Sequence, residues 1–438
     1  MLRYIKRQLL EWKNRKDRKP LILKGARQVG KTYILKEFGK EEYENVAYFN
    51  FDHDEALKGL FLNTKNPKRI LEQLTFTTGS AIKPNKTLII FDEIQECPDA
   101  LNSLKYFQEE AGEYHVACAG SLLGIKLSQT SFPVGKVEYL EMQPMTFTEF
   151  LLADNQKNLV DYMESINEIQ KIPDIFFDQL NEKIKAYFII GGMPEVVKTW
   201  VSTHDIGLVN KIQKQILNGY EDDFGKHVNI TSLQTKISIV WESIISQLAK
   251  ENKKFLYQVV KDGARAREYE YAVNWLSNSN IIEKIFNVKK PDFPLNAYTD
   301  LSSFKLYMSD VGLLRRKANL DSKIVIEGNK LFEEFKGALT ENFILNMLTF
   351  VFENKPNYYV FDRHEIDFII QDSNEIIPIE VKSSESTNNI SLTRFNEKYD
   401  NKLSVRFSTK NLDMSGKILN IPIFMVEYVD KLIQIATE

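Results

Sequence analysis

The sequence predicts an α/β multidomain protein. A parallel sheet wrapped by helices comes first, helical modules follow, and a second α/β domain closes the chain. Three observations predict it. Residues 20–150 alternate short β-rich apolar runs with helix-like stretches, the pattern of strands joined by crossover helices. From about residue 145 the text turns helical, and period-two alternation returns in EIDFII and IIPIEVK near the end. The length, 438 residues, exceeds a single domain at roughly 100–200 residues each.

Composition narrows the functional classes. With 43% hydrophobic and 27% charged residues, and only 19 Gly and 13 Pro, the chain is neither disordered nor collagenous. Lys+Arg 57 against Asp+Glu 60 gives a net charge of −3, so any nucleic-acid contact must come from local patches. No apolar run approaches the roughly 18 residues of a spanning helix, and MLRYIKRQLLEWKNRKDRKP has no continuous apolar core like a secretory signal. No membrane partner is expected. Two cysteines, Cys97 and Cys118, make neither a disulfide framework nor a CxxC metal site, so a reducing cytoplasm is the expected location.

The elements follow in order. Residues 1–20 carry eight basic side chains against two acidic ones. With Ile5, Leu9, Leu10 and Trp12 they read as a basic amphipathic helix, packed on the next domain or offered to a polyanion. Strand LILK then runs into Gly25-Ala26-Arg27-Gln28-Val29-Gly30-Lys31-Thr32 and a helix continuing from Tyr33. This is G-x-x-x-x-G-K-[ST] in its strand–loop–helix setting. Glycines let the loop turn its N–H groups toward phosphates, and the helix N-terminus adds its positive end. Lys31 is expected to reach the β- and γ-phosphates of ATP, and the Thr32 hydroxyl to ligate Mg²⁺.

Such a site needs an acid at the end of a buried strand. TLIIFDE supplies it, because Leu88 to Phe91 is continuously apolar and Asp92 emerges at the C-terminal end, where ligands of open α/β sheets bind. Asp92 is expected to hold Mg²⁺ through water. Glu93 is read as the general base that polarises the attacking water, or as a solvated strand-end acid. Ser121, after strand HVACA, stands where a γ-phosphate sensor would sit.

Together GARQVGKT, LIIFDEIQECP, AGSLLG, EMQPMTFTEFL, GGMPEVV and FKLYMSDVGLL resemble the AAA-type P-loop ATPases of bacteria and archaea whose C-terminal half is a domain of unknown function. The resemblance spans almost the whole chain. It implies an extra-strand ATPase core in which a glutamate beside the metal aspartate activates water, which supports the Glu93 role. It supplies no substrate. An arginine finger has no clear motif; Arg27, Arg265, Arg267 or a neighbouring subunit's arginine are the candidates.

In the middle, Gly191-Gly192-Met193-Pro194 follows the apolar AYFII and reads as a helix stop and restart; the resemblance puts it in a helical lid. Helices followed by apolar strands over 232–310 suggest a winged-helix module, used for DNA or for docking proteins. Lys253, Lys254, Arg265 and Arg267 are the phosphate candidates, although residues 231–310 hold only 11 basic against 9 acidic side chains.

In EIDFII, Ile366, Phe368 and Ile370 share one strand face and leave Asp367 on the other; in IIPIEVK, Glu380 and Lys382 project together. An even-length loop around Ser373-Asn374 would set Asp367 opposite Glu380, with Cβ atoms roughly 4.5–5.5 Å apart, a pair that calls for a cation between them. An odd-length loop would separate them. Upstream, Glu341 lies in register with the apolar stripe Ile344, Leu345 and Leu348. The order Glu…Asp…Glu-x-Lys resembles the PD-(D/E)xK restriction-endonuclease-like fold. That resemblance implies Mg²⁺ held by Glu341, Asp367 and Glu380, with Lys382 assisting catalysis. Ile366 stands where that motif commonly has proline. Residues 341–438 carry 15 acidic and 10 basic side chains, which repel DNA unless Mg²⁺ offsets them.

The expected parts are a P-loop ATPase core (1–145), a helical lid (146–230), a winged-helix-like module (231–325) and a nuclease-like domain (326–438). Two functions compete: an ATPase coupled to a DNA-acting nuclease-like domain, and a nucleotide-gated switch that binds DNA, a partner protein or its own copies without cutting.

Overall fold

The structure is a computed structural model that describes residues 1–120, 135–226, 231–250, 253–327, 333–372, 374–383 and 389–438. Two compact units form: Arg3–Gln143 with Asn278–Ile281, and Pro144–Ser277 with Ile282–Glu438 and Met1–Leu2.

The first unit is built on five parallel strands: β1 (Leu21–Lys24), β2 (Asn45–Asn50), β3 (Thr87–Asp92), β4 (His115–Ala119) and β5 (Glu138–Glu141). Their order is β2-β3-β4-β1-β5, so β4 lies between the loop-bearing and acid-bearing strands. Strands β3 and β4 are buried throughout, as central parallel strands must be, because helices cover both faces. β5 does not stand out in the sequence. Its four residues, Glu-Tyr-Leu-Glu, alternate between half-buried and exposed on an edge, which leaves too little apolar signal to read. Helix α2 (Lys31–Glu42) follows the loop, and α3 (Glu55–Asn63), α4 (Pro67–Thr78) and α5 (Pro98–Glu110) complete the wrap. Phe51, Phe61, Phe91 and Phe107 pack edge to face beneath them.

The basic N-terminal helix α1 (Ile5–Asn14) packs on this unit. Ile5, Leu9 and Trp12 are buried. Lys6 pairs with Glu37 and Glu41, Lys13 with Glu42, and Arg15 with Glu138. Much of the basic face is thereby matched by the unit's own acids. Leu10 is the exception among the expected apolar anchors, being exposed.

In the second unit, helices Phe147–Ala153, Lys157–Ser165, Asp174–Ile190, Pro194–Thr203 and Ile206–Lys226 come first. Helices Thr231–Leu248, Tyr257–Val260 and Ala266–Asn278 precede a hairpin of β6 (Ile282–Val288) and β7 (Thr299–Met308). After helix Glu333–Val351 come β8 (Asn357–Phe361), β9 (His364–Asp372), β10 (Glu375–Lys382), helix Ile390–Tyr399, β11 (Ser404–Ser408), β12 (Asp413–Ser415) and β13 (Ile418–Pro422). These strands form one mixed sheet, β12-β13-β11-β10-β9-β8-β6-β7. The hairpin expected as a wing is thus the end of this sheet: β6 runs parallel to β8, with Asn287 opposite Tyr358 and Val288 opposite Tyr359. Sequence periodicity finds such strands but not their neighbours. Tyr269 and Trp275 are buried, and Tyr271 is exposed.

Three of the sequence motifs meet inside this unit. The Gly191 backbone has φ 74, and a Cβ there would stand 2.3 Å from Asp310 Oδ1; at Gly192 it would stand 2.1 Å from the Met145 carbonyl oxygen. The Gly192 N–H donates to Asp310 at 2.6 Å, and the Met145 N–H to the Gly192 carbonyl at 2.6 Å. The pair of glycines is therefore more than a helix stop. It admits the Asp310 carboxylate, which burial raises to a pKa of about 6 against the N–H groups of Gly192, Leu313 and Gly312.

Candidate functional site: a phosphate loop and a carboxylate hairpin

Strand β1 delivers the chain to Gly25, whose φ is 147; a Cβ there would lie 2.2 Å from the Met142 carbonyl oxygen, so only glycine fits. Gly30, with φ 96, is the left-handed residue that opens α2. Ala26 and Val29 are buried under the loop, and Arg27 and Gln28 form its exposed tip. Arg3 braces the loop from behind, donating to the carbonyls of Val29 (3.2 Å) and Gln143 (2.6 Å). Lys31 is buried at the helix start, and its ammonium donates to the carbonyls of Gly25 (2.9 Å) and Ala26 (2.8 Å). Burial lowers its pKa to about 8, with Glu93 and Asp92 opposing that fall. Tyr33 stands exposed on the first turn, its hydroxyl 3.0 Å from Glu37.

Parallel register carries β3 to Asp92 beside this loop. Asp92 is 4% exposed, and the Thr32 hydroxyl lies 3.0 and 2.9 Å from its two oxygens. Tyr48 at the end of β2 donates to Asp92 Oδ2 at 2.7 Å, and the Glu93 N–H to Oδ1 at 3.1 Å. Burial and then the Asp92 bond push the Tyr48 phenol up to about 12. Tyr48 carries no sequence signal, since nothing in a lone strand tyrosine indicates what lies one strand away. Glu93 sits at φ 50, a left-handed conformation that costs a side-chain-bearing residue about 1 kcal/mol. Burial raises its pKa above the ordinary carboxyl value; the Gln95 amide, which donates to Glu93 Oε2, pulls against that, and Asp92 adds to the rise. Ser121 lies outside the described residues.

The hairpin site is assembled in the second unit. Asp372 pairs with Glu375 and Phe368 with Ile379, the last pair of the ladder, so Asp367 and Glu380 both stand just past its end. The Val381 N–H donates to Asp367 Oδ2 at 2.7 Å. Glu380 is 4% exposed; one oxygen is 2.6 Å from Lys382 Nζ, and the other, Oε2, is buried without a hydrogen-bond partner. Glu341, on helix Glu333–Val351, is ion-paired with Lys253 and accepts from the Tyr307 hydroxyl at 3.2 Å. Burial first, then the Glu341 charge, raise the Asp367 pKa to about 7, while Lys305 and Lys253 hold it down. Lys305 is wholly buried and paired with Glu365. Burial lowers its pKa, but Glu365, Glu341 and Asp367 outweigh that and leave it raised.

Sequence reading names Glu341, Asp367, Glu380 and Lys382 and gives no sign of the cations Lys253 and Lys305 and the phenol Tyr307 that the structure sets among them. Tyr307 and Lys305 come from β7, 34 and 36 residues upstream of Glu341, and Lys253 from a loop 88 residues upstream, with no local pattern to mark them. Among the described residues, no group of three or more His, Cys, Asp or Glu is placed to hold a metal ion. Arg394 and Arg406, in the same unit, are engaged locally, Arg394 with Glu397 at 2.9 Å and Arg406 with Asn420 and Asn389, both at 2.7 Å. Among the described residues, no helix is long and apolar enough to cross a membrane.

Residues 17–151 match the AAA domain family, and the parallel sheet, phosphate loop and strand-end acid are those of a P-loop ATPase. This part of the chain is an AAA-type ATPase domain. Residues 181–324 and 336–424 match two domains of unknown function, DUF8612 and DUF4143. No curated protein matches the chain. Among solved structures it is similar to the Walker-type ATPase of Pyrococcus abyssi, at 15% identity over 72% of this chain and 94% of that one, with a TM-score of 0.44. It is also similar to the RuvB Holliday junction branch migration motor of Thermotoga maritima (14% identity, 64% and 88% covered, TM-score 0.33). A third match is Aeropyrum pernix Orc1 in complex with DNA (12%, 73% and 93%, TM-score 0.31). Similarity at this level carries no functional argument, which rests on the residues of the two sites.

Proposed function

We propose that the chain is a Mg²⁺-dependent ATP hydrolase coupled to a DNA-acting, nuclease-like second unit. The observation that carries the first half is the Thr32–Asp92 contact beside buried Lys31. The hydrogen-bond partners of Asp92 are neutral, namely two hydroxyls and a backbone N–H, a donor set that leaves a carboxylate free to serve a divalent cation. Thr32 and Asp92 would hold Mg²⁺, which when bound neutralises charge on the phosphates. The loop N–H groups and Lys31 bind and orient the β- and γ-phosphates. Glu93, with its pKa raised, accepts a proton from the attacking water.

The second half rests on the helix–hairpin arrangement. In the sequence Glu341, Asp367, Glu380 and Lys382 follow the order of the endonuclease-like motif, and the unpartnered buried Oε2 of Glu380 suits a metal ligand. Asp367 and Glu380 would hold Mg²⁺, Glu341 would join them only on leaving Lys253, and Lys382 would steady a water. Arg265 and Arg267, exposed at the start of helix Ala266–Asn278, are the proposed phosphate contacts. One observation favours a second reading, the nucleotide-gated switch without cleavage: Glu341 and Glu380 are already paired with lysines.

Incubating the full chain with supercoiled plasmid and single-stranded DNA, with Mg²⁺ or Mn²⁺ and with or without ATP, separates the two. Metal-dependent nicking lost in Asp367→Ala supports the nuclease. ATP hydrolysis with no cleavage under any of these conditions supports the switch.

A further inference from the structure

Strand β2 brings its own side chains to Asp92. In the register of β2 on β3, Asn50 stands opposite Asp92 and Tyr48 opposite Ile90, so Tyr48 and Asn50 share the face on which Asp92 emerges. Tyr48 therefore starts two residues short of Asp92, roughly 6.6 Å along the strand, and only a long side chain closes that gap. Its phenol does so, donating to Asp92 Oδ2 at 2.7 Å. The direction of that bond follows from chemistry, because an ionised carboxylate only accepts. The phenol oxygen in turn accepts from the Asn50 amide at 3.3 Å. The Asp52 N–H, 2.8 Å from Asn50 Oδ1, fixes which end of that amide faces Tyr48. The ring is held by Lys36, whose ammonium lies 3.3 Å from its centroid. Lys36 stands one turn after Thr32 on α2, so one helix supplies both the hydroxyl on Asp92 and the cation on the ring. Thr32, Lys36, Tyr48 and Glu93 are each half-buried, so the groups around Asp92 keep contact with solvent.

We infer that Tyr48 is a positioning residue for the divalent cation of the ATPase site: its phenol holds the Asp92 carboxylate in the orientation that meets Thr32, and so sets how strongly the site takes the cation. This inference rests on the reading of Thr32 and Asp92 as the residues that hold Mg²⁺. Thr32 alone does not fix the carboxylate, because its single hydroxyl proton lies between both Asp92 oxygens, at 3.0 and 2.9 Å. The Glu93 N–H holds Oδ1 from the chain's own backbone, and Tyr48 holds Oδ2 from the neighbouring strand. A carboxylate held at both oxygens does not rotate freely. Both donors are neutral, so neither opposes an arriving cation as an ammonium group does. A ligand oriented before the metal arrives gives up little freedom on binding, and loss of such a supporting bond typically costs about 10–100-fold in metal affinity. Tyr48 transfers no proton; it acts through Asp92.

The test uses the full chain and a non-hydrolysable ATP analogue with nitrogen bridging the β- and γ-phosphorus, titrated by calorimetry with saturating Mg²⁺ and again with EDTA. The ratio of the two dissociation constants reads what the cation adds at the nucleotide site. Tyr48→Phe keeps the ring beside Lys36 and deletes only the hydroxyl. It should weaken binding with Mg²⁺ about 10-fold and leave the EDTA value within about twofold, so that the advantage given by Mg²⁺ shrinks. An unchanged ratio would overturn the inference. Equal weakening in both media, the mark of a purely structural role, overturns it as well. If Tyr48→Phe does not fold, Asn50→Ala decides. That variant keeps the phenol and removes one bond to its oxygen, and the Mg²⁺ advantage should shrink about threefold; no change there counts against Tyr48. Asp92→Asn separates the two failures. A ratio unchanged in Asp92→Asn removes the cation reading itself, whereas one that collapses there and persists in Tyr48→Phe removes only the role of Tyr48.

Discussion

The two carboxylate sites solve opposite electrostatic problems. At the phosphate loop, Asp92 is surrounded by neutral donors, the hydroxyls of Thr32 and Tyr48 and the Glu93 N–H. At the hairpin, Glu341 faces Lys253, Glu365 faces Lys305 and Glu380 faces Lys382. A cation arriving at the first site displaces only hydrogen bonds. A cation arriving at the second competes with ammonium groups the chain itself provides, so proximity of acids is no measure of metal affinity. Buried ion pairs of this kind are costly to break from one side, because the remaining charge is stranded.

Four experiments press on that contrast. The largest effect is expected from Lys31→Ala. Losing a charge-assisted contact to two phosphates should cost about 3 kcal/mol or more, on the order of a 100-fold rise in the dissociation constant for ATP, measured by calorimetry. An unchanged constant would mean that Lys31 remains on the Gly25 and Ala26 carbonyls when nucleotide binds. At the hairpin, Lys253→Met should tighten Mn²⁺ binding about tenfold, because the partner of Glu341 is removed; electron paramagnetic resonance of free Mn²⁺ reads this in a Lys31→Ala background. Equal or weaker binding would erase the distinction between the sites.

The third concerns pH. Since Lys31 has a pKa near 8 when no phosphate is present, ATP affinity should decline as pH rises through about 8, well before the ordinary lysine range. A flat profile to pH 10 would contradict this. The fourth and smallest is thermal. Asp367 is raised to about 7 in the folded chain, so the unfolded chain holds fewer protons there between the usual carboxyl value of 3.8 and 7, and stability falls as pH rises through that window. Asp367→Asn should therefore raise the melting temperature by a few degrees at pH 8 and leave it nearly unchanged at pH 4. Saturating Mg²⁺ should erase the pH 8 difference if the site takes a metal.

What was legible in the sequence shares a property: it is local. The loop from Gly25 to Thr32, the buried strand ending in Asp92 and the hairpin that carries Asp367 and Glu380 are each written within about fifteen residues. The rest depends on which distant segments become neighbours. Tyr48 reaches Asp92 because β2 is adjacent to β3, and Lys253 reaches Glu341 from 88 positions away. The same limit hid the sheet order that joins β6 to β8.

That β6–β8 pairing bears on how this chain can be divided. A fragment beginning at residue 326 would keep Glu341, Asp367, Glu380 and Lys382 yet lose Lys253, Lys305, Tyr307 and the two strands that cover the β8 edge. It would present an open ladder to other copies of itself, the usual route to edge-to-edge aggregation. The matched family segments 181–324 and 336–424 contribute two and six strands to this one sheet. Recombination that exchanged the later segment alone would have to bring along a compatible hairpin from the earlier one, so the two are expected to be inherited as a pair.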